Sequence, residues 1–525
     1  MTAQSDAIAK IKTGYTFDTP SIDLGVLMAD GTPQTDVRVR LSLSMLNRHG
    51  LVAGATGTGK TRTLQLLAEQ ISAAGVAVFA ADIKGDLSGI AIPGTPSEKL
   101  LARTQKIGQD WQPVGCPTEF YALGGQGAGI PLRATVSSFG PILLSKVLGL
   151  NETQESSLGL VFHYADTAGL PLLDLADLRQ VLQYLTGDEG KAELKEIGGL
   201  SAATAGVILR SLVTLQTQGA DEFFGEPEFD TRDLLRTAAD GHGVISLLEL
   251  PNLQDRPAIF STFLMWLLAD LFHDLPEVGD LDQPKLVFFF DEAHLLFNGA
   301  SKAFLDAIAQ TVRLIRSKGI GIFFVTQSPT DVPDQVLAQL GSRVQHQLRA
   351  HTPKDAKALK ATVDTYPTSQ YDLAETLQSL GIGEAIVTVL NPDGAPTPVA
   401  WTRMLAPRAS MEPMPADWLA NGVASSAMQA KYGQDINRDS AYEMLARRLE
   451  AGAARAQAEA DAQARAREEA ADQREAERER APRSTSSRRA PKSGVEKVLG
   501  SATFWNQVIR VGGQVVRTMW GTARR

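Results

Sequence analysis

Residues Gly54-Ala55-Thr56-Gly57-Thr58-Gly59-Lys60-Thr61 have the types and spacing to hold a polyphosphate. Gly54, Gly57 and Gly59 let successive backbone N–H groups turn inward onto phosphate oxygens at a helix N-terminus, and Lys60 adds a point charge for the β and γ phosphates. The Thr61 hydroxyl is placed to ligate Mg²⁺, and Arg62 completes the set expected to touch the nucleotide. A second reactive pair stands 231 residues beyond Lys60, where Leu286–Phe290 runs directly into Asp291 and Glu292. An unbroken apolar run of this kind reads as a strand buried on both faces, with acids at its C-terminal end, the edge where open parallel sheets bind ligands. By itself this stretch also fits a solvated helix start with Asp291 as N-cap. The phosphate loop upstream favours the other reading, in which Asp291 is the second Mg²⁺ anchor and Glu292 orients or deprotonates the attacking water.

The elements needed to position these groups are legible on either side of them. Leu51 to Ala53 is a short strand entering the loop, and Leu64, Leu67, Ala68 and Ile71 share one face of the helix leaving it. Gly75 to Asp82 forms a further strand, followed by Lys84. A helix over Ser301 to Ser317 stops at Gly319 and feeds a buried strand, Ile320 to Thr326, which delivers Gln327 to the same edge as the phosphate loop. Together they predict an α/β fold built on a central, mainly parallel sheet.

The remaining organisation follows composition and punctuation. Residues 1–46 hold short strand candidates, and 47–138 and 241–410 are the two parts of the nucleotide-binding core, the second ending in a hairpin that turns at Asn391-Pro392-Asp393-Gly394. Between them 139–240 reads as a helical insertion, with Asn151 and Gln154 spaced for a capping box and Ser201 as a second cap. The glycine-rich stretch around Gly124–Gly129 reads as a hairpin loop between two strands. Residues 411–482 form a charged helical or disordered arm. Residues 483–525 carry nine Lys or Arg against the single acid Glu496, interleaved with Phe504, Trp505 and Val508. Such a tail suits nucleic acid, a membrane surface or an acidic protein, and equally a helix docking on its own chain.

The bulk numbers set outer bounds. A chain of 525 residues holds two or three structural units, and its net charge of −9 argues against a broadly basic surface while leaving room for a narrow basic channel. Cys116 is the only cysteine, which excludes an internal disulfide and fits a reducing, cytoplasmic setting. No apolar run reaches the roughly 18 residues of a membrane span.

With these residues in place, the chain resembles the HerA/FtsK superfamily of ring-forming ATPases, and within it the bacterial proteins that carry a helicase HerA-like C-terminal domain. The resemblance rests on "NRHGLVAGATGTGKT", "FAADIKGDLSG", "GPILLSKVLGLNETQ", "FFFDEAHLLF", "VRLIRSKGIGIFFVTQSP" and "LGSRVQHQLRAHTPKDAKALK", which span most of Asn47 to Lys360. Despite the letters Asp-Glu-Ala-His, the chain does not read as a two-lobed RNA helicase, which places its acid motif soon after the phosphate loop and carries a second lobe. His294 is accordingly expected to be incidental. The resemblance implies a RecA-like core, ATP and Mg²⁺, and a homo-oligomeric ring, commonly a hexamer, with ATP at subunit boundaries. It further implies Arg316 as the arginine supplied to a neighbour, with Arg313 and Arg48 as alternatives, and Gln327 as the polar sensor of the γ phosphate. Asp82 and Lys84 match positions that touch Mg²⁺ or the γ phosphate. Residues 1–46 are short for the β-barrel assembly domain of archaeal HerA proteins, so ring contacts are expected on other surfaces. The function implied is a motor acting on DNA. The alternatives are an ATP-driven protein-assembly machine and, more weakly, a small-molecule kinase, against which the water-activating position of Glu292 counts.

Overall fold

The computed structural model describes residues 3–480 except 126, 251–256, 280, 299 and 301, so the basic tail lies outside the described residues. Among the described residues twelve strands form a single sheet: β1 Ser21–Ala29, β2 Thr32–Ser42, β3 Gly50–Ala53, β4 Ala77–Asp82, β5 Thr118–Leu123, β6 Ile130–Leu132, β7 Ile245–Glu249, β8 Leu286–Phe290, β9 Ile320–Thr326, β10 Ser342–Gln345, β11 Glu384–Thr388 and β12 Ala400–Met404. Their order is β2-β1-β12-β11-β10-β3-β9-β8-β4-β7-β5-β6. From β10 to β6 every pairing is parallel, and from β10 back to β2 every pairing is antiparallel. The amino-terminal hairpin β1–β2 therefore extends the central sheet through β12.

β8 is buried along its whole length because its phenylalanines are covered from both neighbours and both faces. Phe288 lies 5.1 Å from Phe79 on β4, while Phe289 and Phe290 lie 5.3 and 5.7 Å from Phe323 and Phe324 on β9, centroid to centroid. Those cross-strand ring pairs fix the register that carries Asp291 and Glu292 to the sheet edge. Helix Lys60–Ala73 packs on β3 and β4, burying Leu64, Leu67, Ala68 and Ile71 as the spacing predicts.

Between β6 and β7 the chain forms helices Val136–Val147, Glu152–Thr167, Leu175–Thr186, Lys191–Glu196 and Ala202–Thr217. The capping box is present, with Gln154 N donating to Asn151 Oδ1 at 3.0 Å and Asn151 N donating to Gln154 Oε1 at 3.0 Å. Ser201 caps its own helix by accepting from Thr204 N. One expectation fails: β5 and β6 pair in parallel, not as a hairpin. Gly124 explains why the link is glycine-rich. A Cβ there would sit 1.6 Å from the Glu222 carbonyl oxygen, so the chain can pass only without a side chain.

The described chain divides into two units, one ending at Leu449 and the other beginning at Glu450. Within the first, residues 416–445 are anchored to the body: Leu419, Met428, Tyr432 and Leu445 are buried, and Ser426 Oγ donates to Glu119. Within the second, the described helix is exposed from Glu450 to Ala476. No helix among the described residues is long and apolar enough to cross a membrane.

Candidate nucleotide site

The phosphate loop leaves β3 between β9 and β10 and is tied to both. Gly54 N donates to Thr326 O at 3.2 Å and Ala55 N to Gln347 O at 2.8 Å. Inside the loop Thr58 Oγ1 donates to Ala55 O at 2.7 Å, and Lys60 Nζ reaches the same carbonyl at 3.2 Å. Gly59, at φ 119°, ends the loop in a conformation open to glycine and starts the helix with Lys60 and Thr61 in its first turn. Lys60 is buried; desolvation lowers its pKa, opposed by the charges of Glu292 and Asp291. Arg62 turns along its own helix, where Nη1 donates to Gln65 Oε1 at 3.3 Å.

Beneath the loop lies a residue the sequence did not single out. His346, fully buried at the end of β10, bonds Thr63 Oγ1 through Nε2 at 2.9 Å and Glu384 O through Nδ1 at 2.8 Å. A carbonyl only accepts, so Nδ1 carries the proton and Nε2 accepts from the threonine. Burial holds the imidazole neutral by pushing its pKa down to about 4. Its Cβ stands where a side chain on Gly54 would begin, 2.5 Å away, which requires glycine at the first position of the loop.

The acids follow β8. Asp291 Oδ1 accepts from Glu292 N at 2.9 Å, while Oδ2 is buried with no hydrogen-bond partner, and burial lifts the carboxyl to about 7. Glu292 adopts φ 46°, a strained value for a residue with a side chain. Lys84 pairs with Oε1, His294 Nδ1 lies 3.1 Å from Oε2, and Gln327 Nε2 lies 3.5 Å from the same oxygen. Burial alone would raise this carboxyl, but the His294 and Lys84 contacts outweigh it and bring it down to about 2. His294 is therefore not incidental, as the resemblance had suggested, but part of the charge network. Asp82 has a different place: its Oδ1 accepts from Lys84 N and Gly85 N and its Oδ2 from Leu87 N, so it shapes the turn that presents Lys84.

Lys60, Asp291, Glu292 and Gln327 thus gather at one sheet edge. Arg316 does not join them. It precedes β9, whose seven residues span about 23 Å, and its charge adds to burial in holding His49 down to about 4. Beside the outer half of the loop, a cavity of about 450 Å³ is lined by Thr56, His294, Gln327, Arg349 and Lys354. Arg349 Nη2 donates to Thr56 O at 3.3 Å. Its signal in the sequence was only a cation a few residues beyond a buried strand.

A phosphate loop between two parallel strands, with an Asp-Glu pair one strand further along, defines the class as RecA-like P-loop NTPases. Within that class the chain belongs to the family described as helicase HerA-like C-terminal, whose model matches residues 27–525. Relatives include the DNA double-strand break repair helicase HerA of Sulfolobus acidocaldarius, 21% identical over 379 residues, or 67% of this chain and 64% of that one. Thus the match spans less than two thirds of that relative's length. The protein of the same name from Sulfurisphaera tokodaii is 22% identical over 377 residues, 70% of this chain and 68% of that one. Among solved structures, the unbound bacterial conjugative coupling protein TrwBdeltaN70 superposes with a TM-score of 0.51 at 15% identity, covering 77% of this chain and 94% of that one. Plasmid coupling protein TrwB in complex with a non-hydrolysable ATP analogue gives 0.51 at 15% identity, covering 78% and 94%. At that identity the likeness shows the shared fold.

Proposed function

We propose that this chain hydrolyses ATP as a subunit of a ring-type motor, and that its substrate is DNA. The observation that carries the reading is Asp291 Oδ2, a buried and unpartnered carboxylate oxygen at the same sheet edge as Lys60 and Glu292. An orphaned anion in that position costs stability unless a cation answers it, so the residues fit Mg²⁺, with Thr61 and Asp291 as its protein ligands. The bound ion would neutralise charge on the β and γ oxygens. The protein's own part is then defined. The loop amides from Gly54 to Thr61 and the Lys60 ammonium hold the phosphates, and Arg62 flanks them. Glu292 accepts a hydrogen bond from the attacking water and aligns it. Lys84 and His294 each take one lone-pair direction on its two oxygens, which leaves acceptor capacity on both for the water. Gln327, on the Glu292 side of β9, is suited to follow loss of the γ phosphate.

Arg316 lies too far from its own loop to reach it, so we assign it to the site of a neighbouring subunit in a ring, commonly six-membered in this superfamily. Support for DNA comes from the family and from relatives named as DNA repair helicases. The net charge of −9 favours the second reading, an ATP-driven machine that assembles proteins without touching DNA. ATP turnover measured with and without duplex and single-stranded DNA, beside the mass of the oligomer, separates them. Stimulation by either DNA form supports the motor; DNA-independent turnover by an intact ring supports the protein machine.

A further inference from the structure

The loop and acids account for the phosphates and leave the rest of a nucleotide without a partner. The nucleoside leaves the loop on its helix side, past Thr61 and Arg62, since Lys60 and Mg²⁺ meet the β and γ phosphates and Glu292 faces the γ end. On the helix side a tight corner before β11, Gly381-Ile382-Gly383, abuts the loop. Gly383 N donates to Thr58 O at 2.9 Å, and a Cβ on Gly59 would lie 3.4 Å from Gly383 Cα. The corner is braced from behind. Arg103 Nη2 donates to Gly383 O at 3.3 Å and to Met404 O at 3.0 Å, and Gly381 N donates to the Glu384 carboxylate at 3.0 Å.

On this rigid corner sits Ile382, 74% exposed, the most exposed large hydrophobic side chain among the described residues. An isoleucine held in water by a backbone this well tied has a cost that a flat apolar partner would recover. Glycines on both sides leave its face clear.

We propose that Ile382 is the platform for the nucleobase of the nucleotide whose phosphates occupy the loop. The inference rests on the nucleotide reading above and adds the base subsite to it. A purine ring lying against the aliphatic face would gain apolar burial with little demand for hydrogen bonds, so the platform should accept adenine and guanine with modest discrimination and favour purines over the smaller pyrimidines.

The test compares ATP with inorganic tripolyphosphate, which offers the same anionic groups without a base. Titration calorimetry in the presence of Mg²⁺ would be run on the full chain and on Ile382→Ala, a substitution at an exposed position that leaves the brace intact. The expected result is a roughly five- to tenfold weaker affinity for ATP in the variant, unchanged affinity for tripolyphosphate, and partial recovery of ATP binding in Ile382→Leu. Equal ATP affinity in Ile382→Ala and parent would overturn the platform, as would an equal loss for both ligands, which would mean that the corner only shapes the loop. A fall in ATP affinity that tracks a smaller oligomer mass would assign Ile382 to a subunit contact and also overturn it. Failure of the parent to bind either ligand would instead remove the nucleotide reading itself.

Discussion

Lys60 and Glu292 share one charge network yet should fail differently when removed. Lys60→Ala deletes the cation proposed to meet the phosphates, and both ATP binding and turnover should be lost. Glu292→Gln keeps the size of the side chain but weakens its hold on water, so ATP should still bind while phosphate release slows at least about a hundredfold. Parental turnover by Glu292→Gln would sink the assignment. A third carboxyl gives a pH signature. Glu249, at the end of β7, is raised to about 8 by burial and then by the charges of Asp82 and Asp86. Its folded pKa lies above the unfolded one, about 4.3, so the folded chain holds the extra proton within that window. The resulting stability is present at low pH and fades as pH rises toward 8. Glu249→Gln should therefore melt a degree or two above the parent near pH 9 and level with it near pH 5; identical melting at both would contradict the buried, protonated carboxyl. The loop and the acid pair were legible because fixed spacing carries their geometry. His346 and the ion pair between Lys84 and Glu292 were not. A lone histidine at a strand end says nothing of the threonine it will meet 283 positions away, which only sheet order determines.

At the level of elements, the site is a junction between two kinds of sheet. β3 belongs to the parallel part, β11 to the antiparallel part, and His346 and Gly383 tie the phosphate loop to the second. His346→Ala would break two buried hydrogen bonds and leave a void, costing about 2–4 kcal/mol, measurable by denaturant unfolding. Because the brace acts through the loop, KM for ATP should rise more than kcat falls. A variant with parental stability and KM would show the brace to be dispensable. Strands β3, β4, β8 and β9 and the caps at Asn151 and Ser201 could be read directly, since apolar runs and capping spacings are local signals. The β5–β6 link could not. Glycines between two short strands suit a hairpin as well as a crossover, and what decides is the distant Glu222 carbonyl pressed against Gly124. The anchoring of residues 416–445 was equally hidden, because Tyr432 and Leu445 are buried by a surface that their own neighbourhood does not contain.

For the whole molecule, the position of Arg316 becomes a prediction about mixtures. If it serves a neighbour, Arg316→Ala chains and Lys60→Ala chains should each be inactive alone, and mixing them should restore part of the turnover at interfaces that pair an intact loop with an intact arginine. Demonstrably mixed oligomers that remain inactive would count against action between subunits. The order of strands carries a different consequence, in the timing of synthesis. β3 lies near the start of the chain, yet its two hydrogen-bonded neighbours are Phe323–Thr326 and Ser342–Gln345. At ribosomal rates of about 5–20 residues per second, the loop sequence waits tens of seconds for either flank to emerge. Throughout that interval the nascent chain carries an aliphatic strand with both edges bare and no means of gripping ATP, so nucleotide cannot assist the early stages of folding and a chain terminated before Ile320 is born without a site.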